Sequence, residues 1–294
     1  DGIDMTDSTD MTDGTDMTDG TDTTDGTDGG APILQIDEVD YDQVGADMLE
    51  FVEISNAGDG TGYLDGISLE IVNASGEVVG STVDLSSFGP LLAGERLVVA
   101  APALLPLIPF GVISVPKSPG FAGFLPNDVG SRVQLKDGDK LLSDVEYVPA
   151  EGVEDEGIGS WSRCPGPPTT FSLVRSLTPG LPNLCEVSFE LVNDVFSQRC
   201  FPCHTSNSSG GHSIGNSNLE IAYADAMIPS YGDALLTKAE QSLIRVQNGT
   251  MPNPNSACTG DPLLDVGGAK CFTLPEQGAL LQWIVDGQVP PSIP

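Results

Sequence analysis

Positive charge is scarce in this chain. Its 294 residues hold 11 Lys and Arg against 43 Asp and Glu, a formal net charge of -32 at pH 7. Such a field repels nucleic-acid phosphates and anionic lipid headgroups, which excludes both as electrostatic partners. A basic protein surface or a divalent cation suits it. Histidine is scarcer still: only His204 and His212 occur. With both clustered in one stretch, no Ser/His/Asp set can be assembled, and the scattered acids give no paired-carboxylate signal. Long apolar runs are missing as well. The most apolar stretch, LVVAAPALLPLIPFGVISV at 97–115, is broken by three prolines and cannot cross a bilayer as a helix. Six cysteines, in a chain with few other metal-binding side chains, point to an oxidising compartment. The sequence begins at Asp1 rather than Met, as a processed or trimmed product would, so that any secretion leader or lipid-bearing cysteine serving as a tether is expected to lie outside it.

What is present falls into three regions. Residues 1–30 repeat Asp at every third position, with no Lys, Arg, Pro or aromatic residue. Ten like charges with little to bury predict an extended, disordered acidic tail acting as a linker. If the tail takes up polyproline II, every Asp lies along one edge, where calcium or a basic partner could be recruited. Residues 31–183 carry short Val/Ile/Leu/Phe runs separated by Gly, Asp, Asn and Pro. ILQIDEV, MLEFVEIS, SLEIV, GEVVGSTV, RLVVAA, SRVQL, LLSDVEYV and TFSLV supply about eight strand candidates at the spacing of a β-sandwich. In MLEFVEIS, apolar residues alternate imperfectly with Glu50, Glu53 and Ser55, as in a strand with one buried face. KDGDK at 136–140 predicts a hairpin turn.

This region resembles the lamin-tail domain, through FVEISNAG at 51–58, the GSRVQLKDGDKLLSDVEYV hairpin, GSWSRCPG at 159–166 and TPGLPN at 178–183. The resemblance implies an all-β, immunoglobulin-like sandwich without catalytic residues, a binding or spacing module.

Residues 186–294 switch to helical signals. VSFELVNDVFSQRC sets Phe189, Val192, Val195 and Phe196 on one face leading into Cys200. TKAEQSLIRVQNG opens on a capping box, Thr237 to Glu240, and TLPEQGALLQWIVDG on another, Thr273 to Glu276. Together they predict a small all-α domain. Between them stands Cys200-Phe201-Pro202-Cys203-His204, the attachment signature of c-type haem. Two thiols three residues apart can form thioethers with two vinyl groups on one porphyrin edge, and the adjacent imidazole then lies beneath the iron. A sixth ligand is offered by Met251 in GTMPNPN, a Gly/Pro-rich loop after a helix.

These features resemble the mono-haem cytochrome c family. The resemblance implies an all-α cytochrome c domain whose first and last helices pack together, with Leu280 and Trp283 near the haem edge. It implies one covalent haem c held by Cys200, Cys203, His204 and Met251, the last two as iron ligands. Alternatives stay open: His212 or Met227 as sixth ligand, a zinc site of Cys200, Cys203, His204 and His212, or a plain redox pair. Adjacent Cys203 and His204 fit one tetrahedral ion poorly, and the region shows no βαβ frame for a thioredoxin-type pair. Four cysteines remain, with three ways to pair. Cys164 with Cys185 would tie the sandwich to the linker, and Cys258 with Cys271 would close a loop behind Met251; reduced thiols are the alternative.

The functional expectation is an extracytoplasmic bacterial electron-transfer protein, not an enzyme, that is periplasmic, outer-membrane-tethered or extracellular. Its redox partner is expected to dock through a basic surface, because residues 186–294 alone carry 11 acidic and 4 basic side chains. The alternative is a surface or filament-forming structural protein in which sandwich or tail contacts array the haem domains. A third reading, a gas sensor or peroxidase, requires an open iron site.

Overall fold

A computed structural model of the chain describes residues 30–41, 48–80, 82–117, 124–127, 129–148, 159–165, 170–200, 204, 215–251 and 258–292. The acidic tail and its expected calcium comb, at 1–29, lie outside these residues.

Among the described residues, ten strands come first: β1 Leu34–Asp40, β2 Phe51–Asn56, β3 Ile67–Val72, β4 Val83–Asp84, β5 Arg96–Ala100, β6 Ile113–Pro116, β7 Arg132–Asp137, β8 Lys140–Glu146, β9 Ser160–Cys164 and β10 Thr170–Val174. They form a six-stranded sheet in the order β10-β9-β1-β2-β5-β6 and a four-stranded sheet in the order β4-β3-β7-β8. All pairings are antiparallel except β5 with β6. The two sheets share one apolar core that includes Ile36, Val52, Ile54, Leu69, Leu97 and Val133. This architecture is compatible with the expected immunoglobulin-like sandwich. The β7–β8 hairpin turns at Gly138 and Asp139, with Gly138 at φ 55, so the glycine supplies the left-handed backbone that the tight turn needs.

Strand β2 is not half-solvated. All six of its residues are buried, and the preceding Glu50 with them. Its inner face joins the core between the sheets, while Phe51, Val98, Ala100 and Leu104 form a second apolar cluster. Partly buried Leu105, Leu107, Ile108 and Val112 from the Pro-rich run pack against that cluster, together with Leu177 and Leu274. The run that is too broken for a membrane helix therefore covers the sheet instead.

Four helices follow among the described residues: α1 Phe189–Arg199, α2 Leu219–Met227, α3 Lys238–Gln247 and α4 Leu274–Val285. Both capping boxes form as the sequence predicts. The expected fold class, an all-β sandwich followed by an all-α cytochrome c domain, is nevertheless corrected. The structure is mostly β, two sheets with four helices near the C-terminus, and the helices are not a separate all-α unit. Residues 229 and 237 form a β-bridge between α2 and α3. The start of α4 is built into the sheet: Leu274 joins the outer cluster, Ser176 Oγ donates to Pro275 O at 3.4 Å, and Arg175 N donates to Gln282 Oε1 at 2.5 Å. The physical reason is that α4 carries two faces. One packs on α1 and α3, and the other on the exit of β10.

Among the described residues, no helix is long and apolar enough to cross a membrane. Cys164–Cys185 and Cys258–Cys271 are disulfide-bonded, which fits an oxidising environment.

Candidate functional site

Helix α1 positions the first half of the Cys-x-x-Cys-His stretch. Ser188 caps it, accepting from Leu191 N at 3.4 Å, and Phe189, Val192, Val195 and Phe196 bury its apolar face. At its end Cys200 N donates to Phe196 O at 2.8 Å, and His204 N donates to Cys200 O at 3.2 Å. That bond holds His204 close to the end of α1, and the side chains of Cys200 and His204 are both half-buried. Cys200 packs against the apolar cluster of the helices. Cys203 and His212 lie outside the described residues.

Two sets of contacts hold this end of α1. Arg199 Nε donates to both Glu276 oxygens at 3.0 Å, its Nη2 donates to Oε1 at 2.8 Å, and its Nη1 donates to Ala269 O at 2.9 Å. Glu276 also accepts from Thr273 N at 2.8 Å in the capping box of α4, so one carboxylate joins the last residue of α1 to the first turn of α4. On the other side Asn193 Nδ2 donates to Asn216 O at 3.0 Å and Ser197 Oγ to Gly215 O at 3.1 Å. Gly215, at φ 77, approaches so closely that a Cβ would stand 2.9 Å from Ser197 Cα. The chain leaves α1 at Cys200 and is back against it at Gly215.

Met251 follows the end of α3, half-buried, its N–H donating to Arg245 O at 2.9 Å beside that of Thr250 at 3.0 Å. Residues 258–260 cross this end at close range: a Cβ on Gly249 would meet Thr259 O at 2.5 Å, and one on Gly260 would meet Gln247 O at 2.3 Å. Asp265 pins the crossing, accepting from Thr259 N at 2.7 Å, Thr259 Oγ1 at 2.9 Å and Gly260 N at 3.0 Å. Cys258 and Cys271 lie close to this carboxylate, but their sulfurs are joined to each other and Asp265 is occupied by three donors. The knot is structural. His204 and Met251 thus follow helices, α1 and α3, that both pack on α4. Met227, the weaker candidate, packs against the helical core instead. Leu280 and Trp283 are buried in that core, with the Trp283 ring 5.3 Å from Phe189 and its Nε1 donating to Val289 O at 2.9 Å.

The donor set of thiol, imidazole and thioether fits a c-type haem chemically: two nucleophilic sulfurs for thioether formation, one nitrogen and one soft sulfur for iron. Two of the four cations in this half are spent on internal pairs, Arg199 with Glu276 and the buried Lys238 with Asp225 at 2.5 Å. Arg245 and Lys270 remain exposed among a larger number of acids.

A second concentration of chemistry escaped the sequence reading. Glu38 and Glu53 are paired residues of β1 and β2, both fully buried. Glu38 accepts from Ser160 Oγ, from Thr178 N at 3.1 Å and from Thr178 Oγ1 at 2.7 Å. Glu53 accepts from Gly180 N at 2.6 Å and faces Arg96 Nε at 2.8 Å. Burial pushes Glu38 up to about 7 against those hydrogen bonds. It pushes Glu53 well above the carboxylate range, with the neighbouring Glu38 adding to the rise. The TPGLPN stretch at 178–183 is the lid on this pair. No protein-family model matches the chain, and no curated protein matches it.

Proposed function

We propose that this chain is a bacterial electron carrier outside the cytoplasm, with one covalent c-type haem held by Cys200 and Cys203 and ligated by His204 and Met251. The observation that carries the reading is the turn at the end of α1, in which His204 N donates to Cys200 O. It keeps the imidazole-bearing residue beside the thiol-bearing one at the end of α1. When bound, the haem supplies a one-electron ferric/ferrous couple, which His/Met ligation tends to hold at a raised potential. The side chains supply the rest. Arg199 and Glu276 fix the end of α1, Asn193 and Ser197 hold the returning chain, and Asp265 with the Cys258–Cys271 bond braces the segment beyond Met251. His204 and Met251 would together complete the ligation of a bound iron and leave it no site for a substrate, which favours a carrier over an enzyme. The acidic surface favours a basic docking partner. Two disulfides support a periplasmic, outer-membrane-tethered or extracellular location.

Carbon monoxide tests the closed site. The reduced wild type is expected to leave the gas unbound at neutral pH, and Met251→Ala to bind it. Binding by the wild type would overturn the His/Met assignment.

A further inference from the structure

The segment from Arg175 to Cys185 leaves β10, crosses the outer face of the six-stranded sheet and leads into α1. Six of its residues hold it in place. Arg175 N and Ser176 Oγ bond to α4. Thr178 and Gly180 bond to Glu38 and Glu53. Asn183 Nδ2 donates to Asp37 O at 3.0 Å and Arg163 O at 3.1 Å, and Cys185 is bonded to Cys164. The strap itself has no charged residue from 176 to 185. Nor has the run at 104–112, whose Val112 and Pro109 lie against Gly180.

Among the described ion pairs beneath the strap, carboxyls outnumber guanidiniums. From β1 come Asp37 and Glu38, from β2 Glu53, from β5 Arg96 and from β9 Arg163. Arg96 lies 2.8 Å from Glu53 and 3.6 Å from Asp37, and Arg163 lies 4.0 Å from Asp37. Three carboxyls thus meet two guanidiniums, and neither guanidinium pairs with Glu38 among the ion pairs seen here. Burying that excess negative charge is costly, and one proton removes it.

We propose that Glu38 and Glu53 form a proton-operated clasp that holds the 175–183 strap, and with it α4, on the sheet. With one proton on the pair, the strap's N–H and O–H donors meet carboxyls whose charge Arg96 and Arg163 offset. Loss of that proton leaves an uncompensated buried charge under the strap, and opening to water relieves it. The sign follows from the raised affinity for protons in the closed state. The hold is complete below the ordinary carboxylate range and is lost at higher pH, beginning as pH rises through about 7, to which Glu38 is raised, with Glu53 raised as well. The clasp does not depend on the haem reading.

Amide hydrogen exchange on the full chain tests this, with rates corrected for intrinsic pH dependence. The Thr178 and Gly180 amides are expected to lose at least about tenfold in protection between pH 5 and pH 8, as a raised carboxyl requires. Amides of β7 should stay protected, and Glu38→Gln, which mimics the protonated acid, should flatten the dependence. Equal protection of the strap at both pH values in the wild type would overturn the proposal. So would the same loss in Glu38→Gln and Glu53→Gln, or a loss shared equally by β7, which would mean global unfolding. Should the variants fail to fold, carboxyl carbon resonances of the wild type decide: titration of both glutamates in the ordinary acidic range ends the idea.

Discussion

Gly278 of α4 stands against Ser176 so closely that a methyl group in place of its hydrogen would lie 2.6 Å from Ser176 Cα and 3.0 Å from its Oγ. This contact joins the helices to the sheet and makes the sign of a substitution diagnostic. In an unconstrained helix Gly→Ala stabilises by about 1 kcal/mol. Here Gly278→Ala is expected to destabilise by about 1–3 kcal/mol through overpacking against backbone. Denaturant unfolding reads the difference, and a stabilised variant would show that α4 does not sit on Ser176.

Arg199 and Glu276 form a forked, mostly buried pair. A double-mutant cycle with Arg199→Gln and Glu276→Gln is expected to give a coupling of about 1 kcal/mol or more, above the value for exposed pairs. Unfolding midpoints of the four proteins supply it.

The Cys258–Cys271 bond closes a short loop, at a sequence separation of 13. Replacing both cysteines by Ser is expected to cost about 3 kcal/mol in the chain-entropy account of a loop of that size. Calorimetry of the double variant measures it. If Met251 ligates iron, the same variant should also bind carbon monoxide when reduced, because the braced segment follows that methionine.

Thr178→Val keeps the shape of the side chain and removes a donor to Glu38. The expected loss is about 1–2 kcal/mol at acidic pH. Because that hydrogen bond lowers the Glu38 pKa, its removal should raise the value above about 7 and move the pH-dependent loss of stability upward. Unfolding free energy measured from pH 5 to pH 9 gives both numbers.

The legible parts of the sequence were those governed by local rules. Seven of the eight strand candidates form strands, because β-branched runs bounded by turn residues need little context. The exception is GEVVGSTV, of whose described residues Val83 alone enters a regular strand, β4. Both capping boxes and both disulfides are present as expected. Other elements depend on distant partners. Strand β6 lies in the Pro-rich run and owes its state to parallel pairing with β5. Strand β9 is polar, SWSRC, and is fixed between β1 and β10. Helix α2 is short, opening on the Asn218 cap. The buried glutamates were hidden for the same reason: Glu53 alternates with apolar residues as a solvent-facing residue does, and the distant strap from 175–183 bonds over it through Gly180. The expected all-α domain failed at α4, whose Gly278 reads as an ordinary helical glycine until Ser176 is set against it.

The most direct test of the electron-carrier account is the visible spectrum and intact mass of the full chain, made in a host that attaches c-type haem. The account predicts a mass increased by one haem that survives denaturation, sharp α and β bands on reduction, and loss of both in Cys200→Ser/Cys203→Ser. A chain that carries no haem under those conditions, with unmodified mass and no such bands, would contradict it.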